Sequence, residues 1–194
     1  MRLDLSVEGG LTRPRLDRWR GSAAWALDRA SVTRVLADDP CSEPLNVWSG
    51  SSESVGRILS NFTRSHFAID GVAYASVEGF WSALGFPEGS LQRAGAARLW
   101  GARAKANRPK GNGTRVYFGG QELERGSSRH RDLLYIALEA RCEQVGEQRT
   151  ALLTTRGRYV THVVPRGDGS PAPDSTTIPG AVLADMLMCI RDRL

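Results

Sequence analysis

The sequence has few cysteines, few lysines and no long hydrophobic run, and each shortage excludes a class of protein. Its three cysteines, Cys41, Cys142 and Cys189, are odd in number, far apart and without a C-x-x-C pair. This excludes a disulfide scaffold and a cysteine zinc site, and it suits a reducing compartment. No apolar run approaches the ~18 residues of a membrane span, and the first ten residues lack the apolar core of a secretion signal. We therefore expect a cytoplasmic protein without a membrane partner.

Signature motifs of several enzyme classes are also missing. His66, His130 and His162 lie far apart and outside any H-x-x-x-H or H-E-x-x-H arrangement, so we expect no metal site. No G-x-S-x-G, G-x-x-x-x-G-K-S/T or G-x-G-x-x-G motif occurs. This argues against a serine hydrolase, a P-loop enzyme and a dinucleotide-binding fold. We expect no cofactor.

The length and charge are those of one basic globular domain. The chain has 194 residues and a net charge of +5, and 24 of its 26 basic residues are arginines. Because the guanidinium fork binds phosphate in two places, this composition is compatible with a nucleotide or nucleic-acid partner. The alternative is that a GC-rich coding sequence replaces lysine by arginine everywhere. Acids are interspersed along the chain, so charge alone favours an anionic partner only weakly.

The chain divides at a proline-containing connector. Residues 1–45 are Arg-rich and end in Asp38-Asp39-Pro40-Cys41-Ser42-Glu43-Pro44, a composition typical of a linker. We predict that they form a short N-terminal extension, peripheral or partly disordered, with a helix over 22–37 capped by Ser22. Residues 46–194 are predicted to form a single domain.

Periodicity within this domain predicts a mainly α fold with small β pieces. Asp70-Gly71 between two short alternating runs is typical of a hairpin. The helices are predicted from Ser76 to about Phe86, from Leu91 to Ala106, from Arg129 to about Val145, and from Gly180 onward. Short strands are predicted over 116–118 and 159–164, Ala151–Leu153 is predicted to lead into a turn, and loops are expected over 107–114 and 165–180.

Glu78 is the residue that local pattern favours for chemistry. Val77, Phe80, Trp81 and Leu84 have the spacing of a buried helical stripe, which places Glu78 at the edge of the core. A carboxyl group half-buried against aromatic rings has its charged form disfavoured, as proton-transferring carboxyls do. The alternative is that Glu78 bonds only a backbone group or an arginine.

Four motifs in register resemble the NADAR, or YbiA-like, family over residues 46–194. They are Leu59-Ser60-Asn61-Phe62, the Asp70-Gly71 hairpin, the helix from Val77-Glu78 to Phe86, and the C-terminal segments Leu152–Thr155, Val160–His162 and Gly180–Arg191. Members of the family are N-glycosidases. Some cleave phosphoribosylated pyrimidine intermediates of riboflavin synthesis, and others remove ADP-ribose from guanine.

The resemblance implies a YbiA-like fold and a hydrolase acting on an N-glycosyl bond. We expect it to remove ADP-ribose from guanine in a nucleoside or in DNA, with a toxin as a partner. One alternative is an N-glycosidase acting on a phosphoribosylated riboflavin-pathway intermediate. The other is a non-catalytic module that binds ADP-ribose or NAD.

The resemblance also implies site residues. Glu78 takes the role of the essential carboxylate, and Ser60, Asn61, Phe62 and Trp81 line the ribose pocket. The lysine that the family carries seven positions after the glutamate is Gly85 here, so Lys105 is the candidate for a catalytic amine, which burial would have to activate for Schiff-base formation. The remaining substrate-binding candidates are Arg103, Arg108 and the 110–114 loop for a diphosphate, His162 and Asn61 for ribose hydroxyls, and Thr154.

Overall fold

Helices dominate the part of the chain that the computed structural model describes, which is residues 43–109, 113–175 and 177–194. These residues form seven helices and six short strands around one hydrophobic core, so the predicted fold class is confirmed. The helix predicted over 22–37 and residues 110–112 of the predicted binding loop lie outside the described residues. Within the described ranges no helix is long and apolar enough to cross a membrane.

The elements follow one another in short lengths. The helices are α1 Ser54–Leu59, α2 Val77–Ala83, α3 Leu91–Ala97, α4 Gly101–Ala106, α5 Ser128–Gln144, α6 Gly146–Leu153 and α7 Gly180–Arg193. The strands are β1 Leu45–Asn46, β2 Phe67–Ile69, β3 Val72–Tyr74, β4 Arg115–Phe118, β5 Gln121–Glu124 and β6 Val160–Thr161. The strands form three two-stranded sheets, β1 with β6 in parallel and the other two as antiparallel hairpins.

The β2–β3 hairpin forms as the Asp70-Gly71 pair predicts. Asp70 and Gly71 have φ angles of 50° and 75°, the left-handed pair that a tight two-residue hairpin turn requires. Phe67 pairs with Tyr74 across the hairpin, and both rings are buried. Strand β3 ends at Tyr74, and α2 begins three residues later at Val77.

Helix α2 begins as predicted and ends earlier. The Gly79 N–H donates to Ser76 Oγ at 2.9 Å, so Ser76 is the N-cap that the sequence indicates. The helix stops at Ala83, three residues before the predicted end at Phe86. Pro87 has no N–H to donate to the Ala83 carbonyl, which instead accepts from the Phe86 N–H at 3.0 Å, so the helix closes here.

The single helix predicted from Leu91 to Ala106 is wrong, because the chain breaks into α3 and α4. The Leu99 carbonyl at the break accepts from Ser76 Oγ at 3.0 Å. The Gly101 N–H donates to the Phe62 carbonyl at 3.0 Å, and Gly101 has a φ of 60°. These tertiary hydrogen bonds replace helical ones, which local propensity does not reveal.

Other elements also differ from the prediction, and helix α1 and strand β1 were not predicted at all. Strand β5 was not predicted because its residues are mostly polar and exposed, and α6 extends well before the predicted lead into a turn. The predicted strand over 159–164 is shortened to β6. The Asn46 side chain hydrogen-bonds both the N–H and the carbonyl of Val163, at 2.8 Å each, so these backbone groups do not extend the strand. Leu45, predicted as the last residue of the extension, is buried and pairs with Val160.

Candidate active site

A cavity of about 720 Å³ opens where α1, α2, α4, β6 and the start of α7 meet. Its volume falls within the range of small-molecule sites. Residues 171–175, 177 and 178 form one of its sides. The predicted loop over 165–180 thus contributes to this cavity, hereafter the cleft.

The floor of the cleft is the segment Ser60-Asn61-Phe62, which is fixed by its backbone. The buried Arg141 of α5 donates to the carbonyls of Leu59 and Ser60 at 2.9 and 3.0 Å. The Glu78 N–H donates to the Asn61 carbonyl at 3.0 Å. Asn61 Oδ1 is buried and has no hydrogen-bond partner among the described residues, so it is available to a ligand hydroxyl.

Glu78 is 5% exposed and lies on the wall of the cleft. Burial raises the pKa of its carboxyl above the ordinary value, while the charge and hydrogen bond of Arg108 and the charge of Lys105 act in the opposite direction. Arg108 Nη2 donates to Glu78 Oε1 at 2.5 Å. The carboxyl is thus desolvated at a cavity and also bonds an arginine, and its role in chemistry stays a prediction.

Trp81 beside Glu78 is held in place by a stacked histidine. The rings of Trp81 and His130 are 3.8 Å apart with an interplanar angle of 16°. The Gly126 N–H donates to His130 Nδ1 at 2.9 Å. Burial, and then the charges of Arg125, Arg108 and Arg131, lower the pKa of His130 to about 3, so the ring is neutral at physiological pH. His130 is a supporting residue that sequence reasoning considered only as a metal ligand and set aside.

His162 also lines the cleft, with a fixed ring orientation. Its Nδ1 is 2.6 Å from the Val47 carbonyl, and a carbonyl only accepts, so Nδ1 carries the hydrogen. A Cβ at Gly180 would lie 2.2 Å from the His162 carbonyl. Only glycine lets the start of α7 approach this closely, which keeps His162 at the cleft.

Three cations reach the cleft, namely Lys105, Arg108 and Arg125. Arg125 follows β5, and its backbone N–H donates to the Thr114 carbonyl. Its guanidinium passes over Gly85, where a Cβ would lie 2.6 Å from Pro109 Cγ and 3.4 Å from Arg125 Nη2. Sequence reasoning missed Arg125, since it follows a strand that was itself not predicted.

The structure brings eight of the ten predicted site residues to the cleft. They are Ser60, Asn61, Phe62, Glu78, Trp81, Lys105, Arg108 and His162. Arg103 is exposed and does not line the cleft. Thr154 lies at the end of α6, where its hydroxyl donates to the Ala151 carbonyl at 2.8 Å. Neither residue lines the cleft, and their role in substrate binding stays a prediction without support from this geometry.

Lys105 does not have the burial expected of a Schiff-base amine. Its side chain is exposed at the rim of the cleft, where its charge acts on Glu78. Schiff-base lysines are activated by desolvation, so the position favours an electrostatic role. Within the described part of the chain, no three His, Cys, Asp or Glu side chains cluster as metal ligands.

Comparison with known proteins gives one family and one fold. The model of a family described as bacteriophage protein GP30.3 matches residues 54–192. The NMR structure of the E. coli protein YbiA superposes with a TM-score of 0.51 at 21% identity, over 73% of this chain and 79% of that chain. No curated protein matches significantly. The predicted resemblance to the YbiA-like fold is confirmed.

Proposed function

The chain belongs to the bacteriophage protein GP30.3 family, which is related to the NADAR family, and from the geometry of its cleft we propose that it is an N-glycosidase. Its substrate is a ribosylated base, and the favoured reaction is removal of ADP-ribose from guanine. The observation that carries this proposal is a single carboxyl, that of Glu78, which is almost fully buried yet faces a cavity.

The proposed step is hydrolysis at the anomeric carbon. The bond between C1′ and the base nitrogen breaks, and its electron pair leaves with the base. A water oxygen bonds to C1′, and its proton passes through Glu78 to the leaving base. Positive charge develops at C1′ meanwhile, and a carboxylate held in a poorly solvated cleft stabilises it more than one in water.

The surroundings of Glu78 suit a nucleotide sugar. Trp81 provides a rigid aromatic face because His130 stacks behind it. Asn61 Oδ1 and His162 Nε2 are placed to accept hydrogen bonds from ribose hydroxyls, because His162 carries its hydrogen on Nδ1. The cavity of about 720 Å³ extends past these groups to three cations, which favours a substrate larger than a monophosphorylated ribose.

A second candidate function, a non-catalytic module that binds ADP-ribose, is favoured by the ion pair at Glu78. Arg108 occupies Oε1 of the carboxylate at 2.5 Å. The charge and hydrogen bond of the guanidinium favour the ionised carboxylate, which makes it a weaker acceptor for a proton from water. A binding module would retain this pair when ligand is bound.

The activity assay follows free ADP-ribose released from ADP-ribosylated guanosine by the full chain and by Glu78→Gln. We expect release by the wild-type protein and a loss of at least about 100-fold in Glu78→Gln, the usual size of a general acid–base contribution. Glu147→Gln is the matched control, because Glu147 is an exposed carboxylate on α6. It should turn over at the wild-type rate.

The other results separate the candidates. Unchanged turnover in Glu78→Gln would contradict the role of Glu78. Tight ADP-ribose binding without release would establish the binding module instead. Release of base only from a phosphoribosylated pyrimidine would move the substrate to the riboflavin-pathway class.

A further inference from the structure

Two arginines in the cleft have buried N–H groups with no protein acceptor. Nε of Arg108 and Nε of Arg125 are both buried and make no hydrogen bond to any described residue. Within the described ranges, the Arg125 guanidinium also forms no ion pair or side-chain hydrogen bond. Buried donors of this kind are rare in native proteins unless ordered water or a ligand satisfies them.

The two guanidinium groups are close enough to repel each other. Burial, and secondly the charge of Arg108, lower the pKa of Arg125. Three cations and two carboxylates, Glu78 and Asp174, line the cleft. Asp174 accepts from the N–H groups of Gly180 and Ser175 at 2.7 and 2.9 Å, so it is engaged at the start of α7. Around Arg108 and Arg125 this leaves an excess of positive charge that a bound anion would neutralise.

We propose that Arg108 and Arg125 form a binding site for a phosphate-bearing group, and that this group displaces Glu78 from Arg108. Each arginine would present its Nε–H and one Nη–H to phosphate oxygens, the paired geometry that guanidinium groups favour. Glu78 then loses its hydrogen bond to Arg108 and becomes available to water. The phosphate of the ligand thereby frees the carboxylate that acts on its sugar.

The anion site stands on the two unpartnered donors and the local charge. What Glu78 does after its release rests on the proposed function. Competition between Glu78 and phosphate for one guanidinium is a coupling between two anions, so removal of the carboxylate must strengthen phosphate binding. The competition can therefore be measured without any glycosidic bond.

The experiment measures binding of inorganic diphosphate to the full chain by isothermal titration calorimetry. We expect wild-type protein to bind it, and Glu78→Gln to bind it at least about fivefold more tightly, the lower end of ordinary coupling between sites. Arg125→Gln and Arg108→Gln should each weaken binding at least about tenfold, the effect of removing a charged hydrogen-bond partner. Arg98→Gln is the matched control, since Arg98 is exposed and does not line the cleft, and it should bind as wild type does.

Conservative variants keep the test decisive if a glutamine variant unfolds. Arg125→Lys and Arg108→Lys retain the charge and lose the Nε–H donor, so they should also bind diphosphate more weakly, with a wild-type circular dichroism spectrum. Equal or weaker binding by Glu78→Gln would overturn the competition. Binding that is unaffected by changes at Arg125, or is absent from both wild type and Glu78→Gln, would overturn the site. Because no sugar is present, these results are independent of whether the N-glycosidase proposal succeeds.

Discussion

Burial disfavours the charged form of the Glu78 carboxyl. The proposed chemistry, however, requires this carboxyl to carry a charge in the cleft. Its pKa is raised by burial despite the opposing effects of Arg108 and Lys105. A desolvated carboxyl therefore lowers the stability of the folded protein at neutral pH. Residues kept at such a cost are typical of functional sites, where stability is lost in exchange for reactivity.

Glu78→Gln should therefore raise the melting temperature at neutral pH, and the gain should grow with pH. In the unfolded chain the carboxyl has its ordinary pKa, while in the folded protein the pKa is higher, so the folded state binds the proton more strongly. The wild-type protein consequently loses stability, relative to the variant, as the pH rises from the unfolded through the folded pKa.

Thermal unfolding of both proteins at intervals from pH 4 to pH 8 measures this difference. A gap between the two melting temperatures that narrows as the pH rises would contradict the raised pKa. Lys105 and Arg108 are the charged groups facing Glu78, and both are the same in the wild-type protein and the variant. The pH dependence of the gap therefore reports Glu78.

At the scale of elements, the approach of α2 to the α3–α4 break fixes where Glu78 points. A Cβ at Gly79 would lie 2.4 Å from the Leu99 carbonyl and 3.2 Å from that of Ala96. Gly79 therefore allows a backbone-to-backbone contact that no other residue permits without movement. This contact places the neighbouring Glu78 beside the floor segment. There the Glu78 N–H donates to the Asn61 carbonyl.

Gly79→Ala should destabilise the protein by about 1–3 kcal/mol, the usual cost of overpacking, although alanine is the better helix former. Gly95→Ala on α3 is the control, because a Cβ there meets nothing within 4 Å, and it should stabilise by about 0.5–1 kcal/mol. Urea unfolding of both variants measures the difference. Equal effects of the two substitutions would contradict the close packing of α2 on the break.

The distance along the chain between the residues that form an element largely decides whether the sequence predicts that element. The α2 cap, the β2–β3 turn and the stripes of α5 and α7 depend on residues within one or two turns of each other, so periodicity reveals them. The α3–α4 break and the shortened β6 depend on partners far along the chain, such as Leu99 for Ser76 and Asn46 for Val163, whereas β5 pairs with the neighbouring β4 and was missed because its residues are mostly polar. The burial of Glu78 could be predicted because its helical position and aromatic neighbours are local, whereas Arg108, 30 residues further along, and Arg125 meet it only through the tertiary fold.

One stretch of the sequence is basic throughout, and two of its residues line the cleft. It is not apparent from the composition of the whole chain, in which acids and bases are mixed. Residues 89–121 contain seven basic residues and no acid, and both lysines of the chain are among them. Lys105 and Arg108 within this stretch line the cleft, while Arg98 and Arg103 are exposed outside it. This segment is distinguished by carrying charge of one sign only over its whole length.

At the scale of the whole molecule, Arg141 ties the cleft to the core. It projects from the central helix α5, is completely buried, and holds two carbonyls at the end of α1. Ser60 and Asn61 follow directly, so the floor of the cleft is fixed to the longest helix of the described chain. The hydrogen bonds of Arg141 thus fix the floor of the cleft to the core.

Arg141→Met should destabilise the protein by about 2–4 kcal/mol, because each buried carbonyl that loses its donor costs about 1–3 kcal/mol. Arg149→Met is the matched control, since Arg149 is exposed on α6 and makes one long hydrogen bond of 3.5 Å to the Leu194 carbonyl. Its change in unfolding free energy should stay within about 0.5 kcal/mol. A loss of similar size in both variants would show that Arg141 does not anchor the floor.

The most direct test of the account is a crystal structure of the Glu78→Gln variant with ADP-ribosylated guanosine bound. If position 78 acts on the sugar, the ribose C1′ lies within about 3–3.5 Å of its side chain or of a water that it holds, the spacing of a reactive complex. The account also predicts the diphosphate on Arg108 and Arg125. A sugar bound away from position 78, with the diphosphate outside the reach of both arginines, would contradict it.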